Sequence, residues 1–114
     1  MSDCLFCKII AGEIPSKKIY EDEDVFAFYD ISPQAPIHFL VIPKKHIPHV
    51  MDLKNEDSIL MGKMLFQAQK IAKELGLEPN GARFVFNCKE SACQTVWHIH
   101  LHVLGGRDFG WPPG

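Results

Sequence analysis

The chain has 114 residues, of which 46% are hydrophobic and 23% are charged, and its formal net charge is −2. This length predicts a single domain over residues 1–114, and this composition is typical of a folded globular protein. So small a negative charge argues against nucleic-acid binding, which needs a basic surface. The sequence shows no secretory signal and no apolar run of the ~20 residues that a bilayer requires, so we expect a cytoplasmic protein without a membrane segment.

The first predicted element is a short N-terminal helix. Ser2 or Asp3 can supply its N-cap, and Gly12 can end it. Within this helix Cys4 and Cys7 are three residues apart and therefore lie on one face. The helix also has an apolar stripe, which consists of Leu5, Phe6, Ile9 and Ile10. Taken by itself, the stripe favours core packing as the role of these side chains.

The rest of the chain is predicted to contain strands and one long helix. The helix begins at Asp52 or Asn55 and runs to about Leu75, because its apolar residues follow the 3.6-residue period. Connections of hairpin length indicate an α+β fold, with one five-stranded antiparallel sheet covered on one face by helices. The strands are predicted at residues 18–20, 25–30, 38–42, 82–87 and 97–104.

Three histidines alternate with large apolar residues in the last of these strands. Because successive side chains of a strand point to opposite faces, His98, His100 and His102 would share one face. The opposite face would pack into the core and consists of Trp97, Ile99, Leu101 and Val103. An imidazole can act near neutral pH as a base, a nucleophile, a phosphate partner or a metal ligand.

The central histidine of the three is the natural candidate for a nucleophile. His100 has an imidazole on either side that can contact a phosphate or protonate a leaving group. Asn87, Gln94 and Thr95 lie nearby in the sequence and can donate hydrogen bonds to a phosphate. The pattern therefore indicates phosphate chemistry through a covalent histidine intermediate.

A second candidate site is the Cys4-x-x-Cys7 pair, which indicates a metal or redox centre. Two thiolates and two imidazoles form a standard tetrahedral zinc set. One alternative combines the cysteines with one strand histidine and one histidine from residues 44–49, and leaves the other histidines free for chemistry. The other alternative places a catalytic zinc on the three strand histidines. The residues alone leave this choice open.

The segment His98-Ile99-His100-Leu101-His102-Val103-Leu104 resembles the histidine-triad (HIT) signature, His-x-His-x-His followed by two hydrophobic positions. Residues 30–36, 38–46 and 104–114 are similar to the Hint branch of that family, so the resemblance covers nearly the whole chain. The Gly-Gly and Trp-Pro-Pro-Gly end favours Hint over the Fhit-like dinucleoside polyphosphate hydrolases. The resemblance implies a HIT-like fold and a homodimeric enzyme that hydrolyses purine nucleoside 5′-phosphoramidates to an amine and a nucleoside monophosphate.

The resemblance also implies a role for each polar residue of the site. His100 would be the nucleophile that forms a nucleotidyl-histidine, and His102 would contact the α-phosphate. His38 would back the nucleophile in a proton relay. Asn87 and Thr95 match polar positions on the phosphate side. The implied catalytic set is His100, His102, His38 and Thr95.

The nucleoside side of the implied site is formed by one carboxylate and a set of apolar residues. Asp30 matches the carboxylate that holds the ribose hydroxyls. Trp111 matches a tail residue that approaches the partner subunit's site. The apolar positions match a purine slot, which replaces core packing as the expected role of Leu5, Phe6 and Ile9. The implied nucleotide-binding set is Leu5, Phe6, Ile9, Ile14, Phe28, Asp30, Ile31, Asn87, Thr95, His100, His102 and Trp111.

The cysteine pair resembles one found in many bacterial histidine-triad proteins, where it binds a structural zinc together with two histidines. Position by position, the implied Zn²⁺ ligands are Cys4, Cys7, His46 and His98, with His49 as the alternative to His46. Such a zinc would tie the N-terminal helix to the sheet and leave the other strand histidines free.

The chain departs from the commoner Hint pattern at three positions. Thr95 stands where serine is usual, Cys93 where glycine is usual, and Trp97 where tyrosine is usual. Cys93 lies where a backbone faces the phosphate. This position of Cys93 favours one alternative to the phosphoramidase, a nucleotide-binding regulatory module with incidental hydrolysis. A dinucleoside polyphosphate hydrolase is a separate alternative.

Overall fold

The computed structural model of the protein describes residues 3–114. Two 3-10 turns precede the long helix, and a third lies between the last two strands. The elements are α1 Leu5–Ile10, β1 Lys18–Glu21, β2 Val25–Tyr29, β3 Ile37–Pro43, α2 Ser58–Glu74, β4 Ala82–Phe86 and β5 Leu101–Gly105. The predicted α+β architecture, with five antiparallel strands, one short helix and one long helix, is confirmed. No helix within the described residues is long and apolar enough to span a membrane.

The strand order β1-β2-β3-β5-β4 places the last strand in the interior of the sheet. β5 pairs with β3 on one side and with β4 on the other, and all pairings are antiparallel. In this register Leu40 lies opposite His102, and His38 lies opposite Leu104. His38 and His102 are therefore diagonal neighbours on adjacent strands, close enough for their side chains to meet.

The sheet carries a packed apolar cluster on each face. On one face Ala27, Phe39 and Val41 pack with residues of α2 such as Met64. On the other face Phe28 and the alternating residues of β2 and β3 pack against α1. Since neighbouring residues of a strand point to opposite faces, the two helices cover opposite faces of the sheet. The expectation that the helices lie on one face is therefore wrong.

The helix starts differ from the predicted ones. Ser2 lies outside the described residues, and the N-cap of α1 is Cys4, not Asp3, because the Cys4 Sγ accepts the Cys7 N–H at 3.3 Å. The long helix begins at Ser58, after 3-10 turns at Val50–Asp52 and Asn55–Asp57. It ends at Glu74, close to the predicted end.

The histidine strand is shorter than predicted, and of the three histidines only His102 lies within it. Both ladders of β5 end at Leu101, opposite Val41 and Phe86. Two residues beyond Val41, β3 ends at Pro43, which has no N–H with which to continue the ladder. Residues 98–100 therefore lie outside both strand ladders. Their hydrogen bonds to groups other than the ladder partners orient the imidazoles of His98 and His100.

Candidate active site and metal centre

Two cysteines and two histidines converge beside the N-terminus of α1. Their ligand atoms all lie within 4.8 Å of one another, and the four residues are Cys4, Cys7, His46 and His98. The His98 Nδ1 is 3.3 Å from the Cys4 Sγ, 3.6 Å from the Cys7 Sγ and 3.2 Å from the His46 Nδ1. Around a tetrahedral zinc, the usual bond lengths place two nitrogens about 3.3 Å apart and a nitrogen and a sulfur about 3.6 Å apart. The donor set and its spacing therefore fit a tetrahedral metal ion.

Hydrogen bonding and burial prepare His98 to act as a ligand. Its side chain is fully buried, and its Nε2–H donates to the carbonyl of Pro43 at 2.8 Å. The Nδ1 lone pair therefore points into the cluster, as in metal-binding histidines whose second nitrogen is held by a carbonyl. Burial also lowers the pKa of His98 to about 4, which keeps the ring neutral.

The Cys7 thiol of the cluster resists deprotonation in the absence of a cation. Burial, a hydrogen bond with Cys4 and charge repulsion from Cys4 together raise the pKa of the Cys7 thiol to about 11. A bound divalent cation offsets that repulsion and favours the deprotonated form. The chemistry of the donor set is consistent with a metal centre.

The geometry distinguishes between the alternatives that the residues left open. His46 lies in the cluster, whereas the ring of His49 packs edge-on against Trp97 with the centroids 5.5 Å apart. The three strand histidines do not converge on one point. His98 faces the cysteines, while the His102 Nδ1 is 2.9 Å from the His38 Nε2.

His100 is held in one tautomer by the backbone. Its Nδ1–H donates to the carbonyl of His98 at 2.8 Å, so its Nε2 carries the lone pair. The ring packs edge-on against Phe6 at a centroid distance of 5.1 Å and lies 4.9 Å from the ring of His102. Burial lowers the pKa of His100, so the imidazole is neutral. A neutral imidazole with a free Nε2 lone pair can act as a nucleophile.

A hydrogen-bonded chain fixes the protons of the other two histidines. The backbone N–H of Gln34 donates to the His38 Nδ1 at 3.0 Å, so His38 carries its proton on Nε2. That Nε2–H donates to the His102 Nδ1 at 2.9 Å, and the Asp30 Oδ2 lies 3.4 Å from the same nitrogen. His102 therefore carries its own proton on Nε2, where it can donate to a phosphate oxygen.

The resemblance implied that His38 backs the nucleophile in a proton relay, and this role stays a prediction. His38 contacts His102, whereas the Nδ1 of His100 is occupied by the carbonyl of His98. The strand register explains this contact, because His38 lies two residue pairs from the Leu40–His102 pair and therefore on the same face of the sheet. Any effect of His38 on His100 therefore passes through His102.

Two open cavities flank the histidines. The first, of about 710 Å³, is lined by Asp30, Ile31 and His38 together with residues of the segments 15–17 and 33–36. The second, of about 910 Å³, is lined by Leu5 and Thr95 together with Cys4, Cys7 and His46 of the cluster. Both have the size of a small-molecule site. Asp30 accepts the Ser32 N–H through Oδ1 and directs Oδ2 toward His38.

The predicted purine-slot residues differ in exposure. Phe6, Ile9 and Phe28 are buried in the cluster beneath α1. Leu5 is 40% exposed and Ile31 is 94% exposed. Ile14 is partly buried against the same cluster. Their contact with a purine remains a prediction.

Other predicted site residues lie on exposed segments. Thr95 is exposed, Asn87 is partly buried, and Trp111 is 85% exposed. Trp97 is 41% exposed, so its predicted core position is wrong. Cys93 has φ 68° and ψ 34°, a left-handed conformation that favours glycine, and this explains why glycine is usual at that position.

Residues 11–109 match the family model described as the HIT domain. The chain belongs to the HIT family. An uncharacterized HIT-like protein of Synechocystis sp. is 47% identical over 112 residues, which are 98% of this chain and 97% of that protein. The matched family model begins after α1, so Cys4 and Cys7 lie outside it.

Solved structures share the same HIT fold. A HIT family hydrolase from Legionella pneumophila Philadelphia 1 is 52% identical, with a TM-score of 0.96 over 98% of this chain and 100% of that chain. A HIT family hydrolase from Clostridium thermocellum is 44% identical, with a TM-score of 0.93 over 96% of each chain. These similarities confirm the family and the fold expected from the histidine motif.

The role of Gln94 in this HIT domain differs from the predicted one. Sequence position suggested a donor for phosphate, but the side chain is buried and both of its N–H groups donate to backbone carbonyls. The sequence also did not reveal the backbone N–H of Gln34 and the carbonyl of Pro43, which fix the tautomers of His38 and His98. Backbone groups have no sequence signature, so only the fold could identify them.

The hydrogen-bonded pair of His38 and His102 predicts that the stability of the HIT domain depends on pH. Burial and the neighbouring His100 and His38 lower the pKa of His102 to about 4, and Asp30 opposes this shift only weakly. As the pH falls, His102 therefore binds a proton in the unfolded chain before it does so in the folded protein. The stability that the neutral His102 contributes is complete above about pH 6.5 and is lost toward about pH 4.

We expect the free energy of unfolding to fall by about 2 kcal/mol more in the wild type than in a His102→Asn variant between about pH 7 and about pH 4.5. Urea unfolding at several pH values measures this difference, and the comparison cancels the acid sensitivity of the metal cluster. Identical pH dependences in the two proteins would show that His102 is not the titrating group.

Proposed function

We propose that this HIT protein is a hydrolase that cleaves the P–N bond of purine nucleoside 5′-phosphoramidates through a nucleotidyl-histidine at His100. The hydrogen bonds of the two imidazole rings are the observation that carries this proposal. The His100 Nε2 presents a lone pair because Nδ1 is bound to a carbonyl, and the adjacent His102 presents an N–H. Two similar solved proteins bear the name HIT family hydrolase.

The reaction follows from these two nitrogens. The His100 Nε2 attacks the α-phosphorus, the P–N bond to the amine breaks, and the amine leaves with a proton taken from solvent. The N–H of His102 donates to a phosphate oxygen and stabilises its growing negative charge. Water then attacks the same phosphorus, which releases the nucleoside monophosphate and restores His100.

Asp30 and His38 have supporting roles in this step. The carboxylate of Asp30 lies in the cavity that would hold the nucleoside, where it can accept hydrogen bonds from the ribose hydroxyls. His38 keeps the proton of His102 on the side that faces the phosphate, because it occupies the His102 Nδ1. Thr95 and Asn87 are the proposed neutral donors on the opposite side of the phosphate.

Trapping the intermediate tests the proposal directly. The protein is mixed with adenosine 5′-phosphoramidate and quenched in base after a few milliseconds, and the peptides are analysed by mass spectrometry. We expect an adenylyl group on His100 and release of adenosine monophosphate. Turnover without a labelled histidine, or faster cleavage of a diadenosine polyphosphate than of the phosphoramidate, would contradict the assignment.

The same proposal includes a structural zinc ion on Cys4, Cys7, His46 and His98. Four protein ligands close a tetrahedral site and leave no position for water or substrate, so this zinc supplies a cross-link and takes no part in the reaction. The cross-link would join α1, the segment after β3 and the segment before β5.

We also propose that the protein functions as a homodimer. β4 is an edge strand of the sheet, and its Phe84 and Phe86 are 40% and 39% exposed. The helix α2 exposes Leu65 and Phe66 to 54% and 59%. An open edge together with exposed apolar side chains is typical of a surface that a second copy covers. In such a dimer the exposed tail with Trp111 is available to the partner's site.

A further inference from the structure

One buried side chain connects the metal cluster to the loop between β4 and β5. Gln94 is only 5% exposed. Its Nε2 donates to the carbonyl of Pro48 at 2.8 Å and to the carbonyl of Val96 at 3.0 Å. Its Oε1 accepts the backbone N–H of Lys89 at 2.8 Å. A single amide thus holds three separate points of the backbone.

The amide can satisfy these partners in one orientation only. Two of the partners are carbonyl oxygens, which only accept, and the third is an N–H, which only donates. A flipped amide would oppose like groups at every contact. The side chain therefore has its full set of partners only when all three segments are in place, and a buried amide that loses a partner is costly.

The two carbonyls belong to the segments that carry metal ligands. Pro48 follows His46 by two residues, and Val96 precedes His98 by two residues. A second bond joins the same segments, because the Ile99 N–H donates to the Ile47 carbonyl at 2.6 Å. A metal ion that holds His46 and His98 together would also hold the Pro48 and Val96 carbonyls at the spacing that Gln94 requires.

The third partner belongs to the loop on the proposed phosphate side. The Gln94 backbone N–H also donates to the Lys89 carbonyl at 3.0 Å, so residues 89–94 form a closed loop. This loop holds Cys93 in its left-handed conformation and leads directly into Thr95. Its shape determines where the backbone and Thr95 can meet a phosphate.

We propose that Gln94 is a positioning residue that couples metal binding at the Cys4–Cys7–His46–His98 cluster to nucleoside monophosphate binding by the 89–95 loop. The proposal rests on the proposed function, because it assumes that this loop contacts the phosphate. Each ligand strengthens the binding of the other by the same factor, as thermodynamic linkage requires.

The coupling factor is measured as the change in zinc affinity that saturating adenosine monophosphate produces in the full chain, with a chelator as competitor. We expect about a tenfold gain for the wild type. Gln94→Glu, which cannot donate to two carbonyls when it is ionised, should reduce the gain to less than about twofold. Gln69→Glu makes the same chemical change on α2, where Gln69 donates only to the Phe66 carbonyl, and should leave the tenfold gain unchanged.

A second measurement separates failure of the inference from failure of the proposed function. Hydrogen exchange of the Cys93 and Gln94 amides, which close the loop, should become at least about tenfold faster in the wild type when the metal is removed. This readout requires neither a nucleotide nor a variant. If the monophosphate does not bind but loop exchange responds to the metal, the connection between the metal cluster and the 89–95 loop stands and the proposed function fails.

Other outcomes overturn the inference. A wild type that binds both ligands without mutual effect, or a Gln94→Glu variant that keeps the tenfold gain, would exclude Gln94 as the coupling residue. If thermal unfolding shows that Gln94→Glu does not fold, Gln94→Met provides the same test, because methionine fills a similar volume without hydrogen bonds to the carbonyls. Hydrogen exchange of the loop amides that does not change when the metal is removed would also overturn the inference.

Discussion

Replacing His100 with alanine is expected to lower the turnover number for adenosine 5′-phosphoramidate by at least about 10⁴-fold. The substitution removes the free Nε2 lone pair, and neither neighbouring imidazole can replace it. The Nδ1 of His98 points into the cysteine cluster, and the Nε2 of His102 carries a proton. Steady-state rates measure the loss.

Binding should separate from chemistry in the same variant. Asp30 and its cavity are unchanged, so we expect the dissociation constant for adenosine monophosphate, measured by calorimetry, to change by less than about fivefold. His49→Ala is the matched control. His49 belongs neither to the cysteine–histidine cluster nor to the proposed catalytic histidines, and it packs against Trp97. Its rate should stay within about twofold of the wild type. A His100→Ala protein that keeps more than about a hundredth of the wild-type rate would rule out His100 as the nucleophile.

Removing both thiols of the metal cluster is expected to eliminate bound zinc and destabilise the fold. In the Cys4→Ser, Cys7→Ser double variant we expect the free energy of unfolding to fall by about 3–5 kcal/mol and Tm by about 15 °C. The loss is smaller than the full binding energy of a structural zinc, because both apolar clusters of the sheet remain. Elemental analysis and thermal unfolding measure the two effects.

The chain supplies its own control for this experiment. Cys88 and Cys93 are also free cysteines and lie outside the cluster. The Cys88→Ser, Cys93→Ser variant should therefore keep one zinc per chain, and a chelator should lower its Tm as it does that of the wild type. A Cys4→Ser, Cys7→Ser variant that retained a full equivalent of zinc would place the metal elsewhere and would favour the three strand histidines.

Features that depend on local periodicity could be predicted from the sequence. The alternation of Ile99, Leu101 and Val103 with histidines indicated a strand whose apolar face is buried, and all three are at most 2% exposed. The 3.6-residue repeat of Met64, Ala68 and other residues of α2 predicted the long helix. Here the local pattern and the final burial agree, because one face of each element meets the core.

Features that depend on the neighbours of an element could not be predicted in this way. Helix α1 was expected on the same face as α2, but the amphipathic pattern of a helix does not state which sheet face it will cover. The strand start at Leu101 depends on where β3 and β4 end. Gln94 has the same donors whether they meet phosphate or carbonyl oxygens, and only its burial shows that they meet carbonyls.

By itself, then, the sequence determined the family, the fold class and the residue types available for chemistry, because motif spacing and periodicity are properties of the chain. The tertiary structure alone decided what each imidazole does. Backbone groups that the fold places against the rings fix the tautomers: the Pro43 carbonyl, 55 residues away in sequence, turns the His98 Nδ1 toward the cysteines, and the Gln34 backbone N–H sets the proton of His38. A proton on one ring nitrogen or the other distinguishes a ligand, a nucleophile and a donor, and this choice depends on which backbone group the folded chain places against each ring.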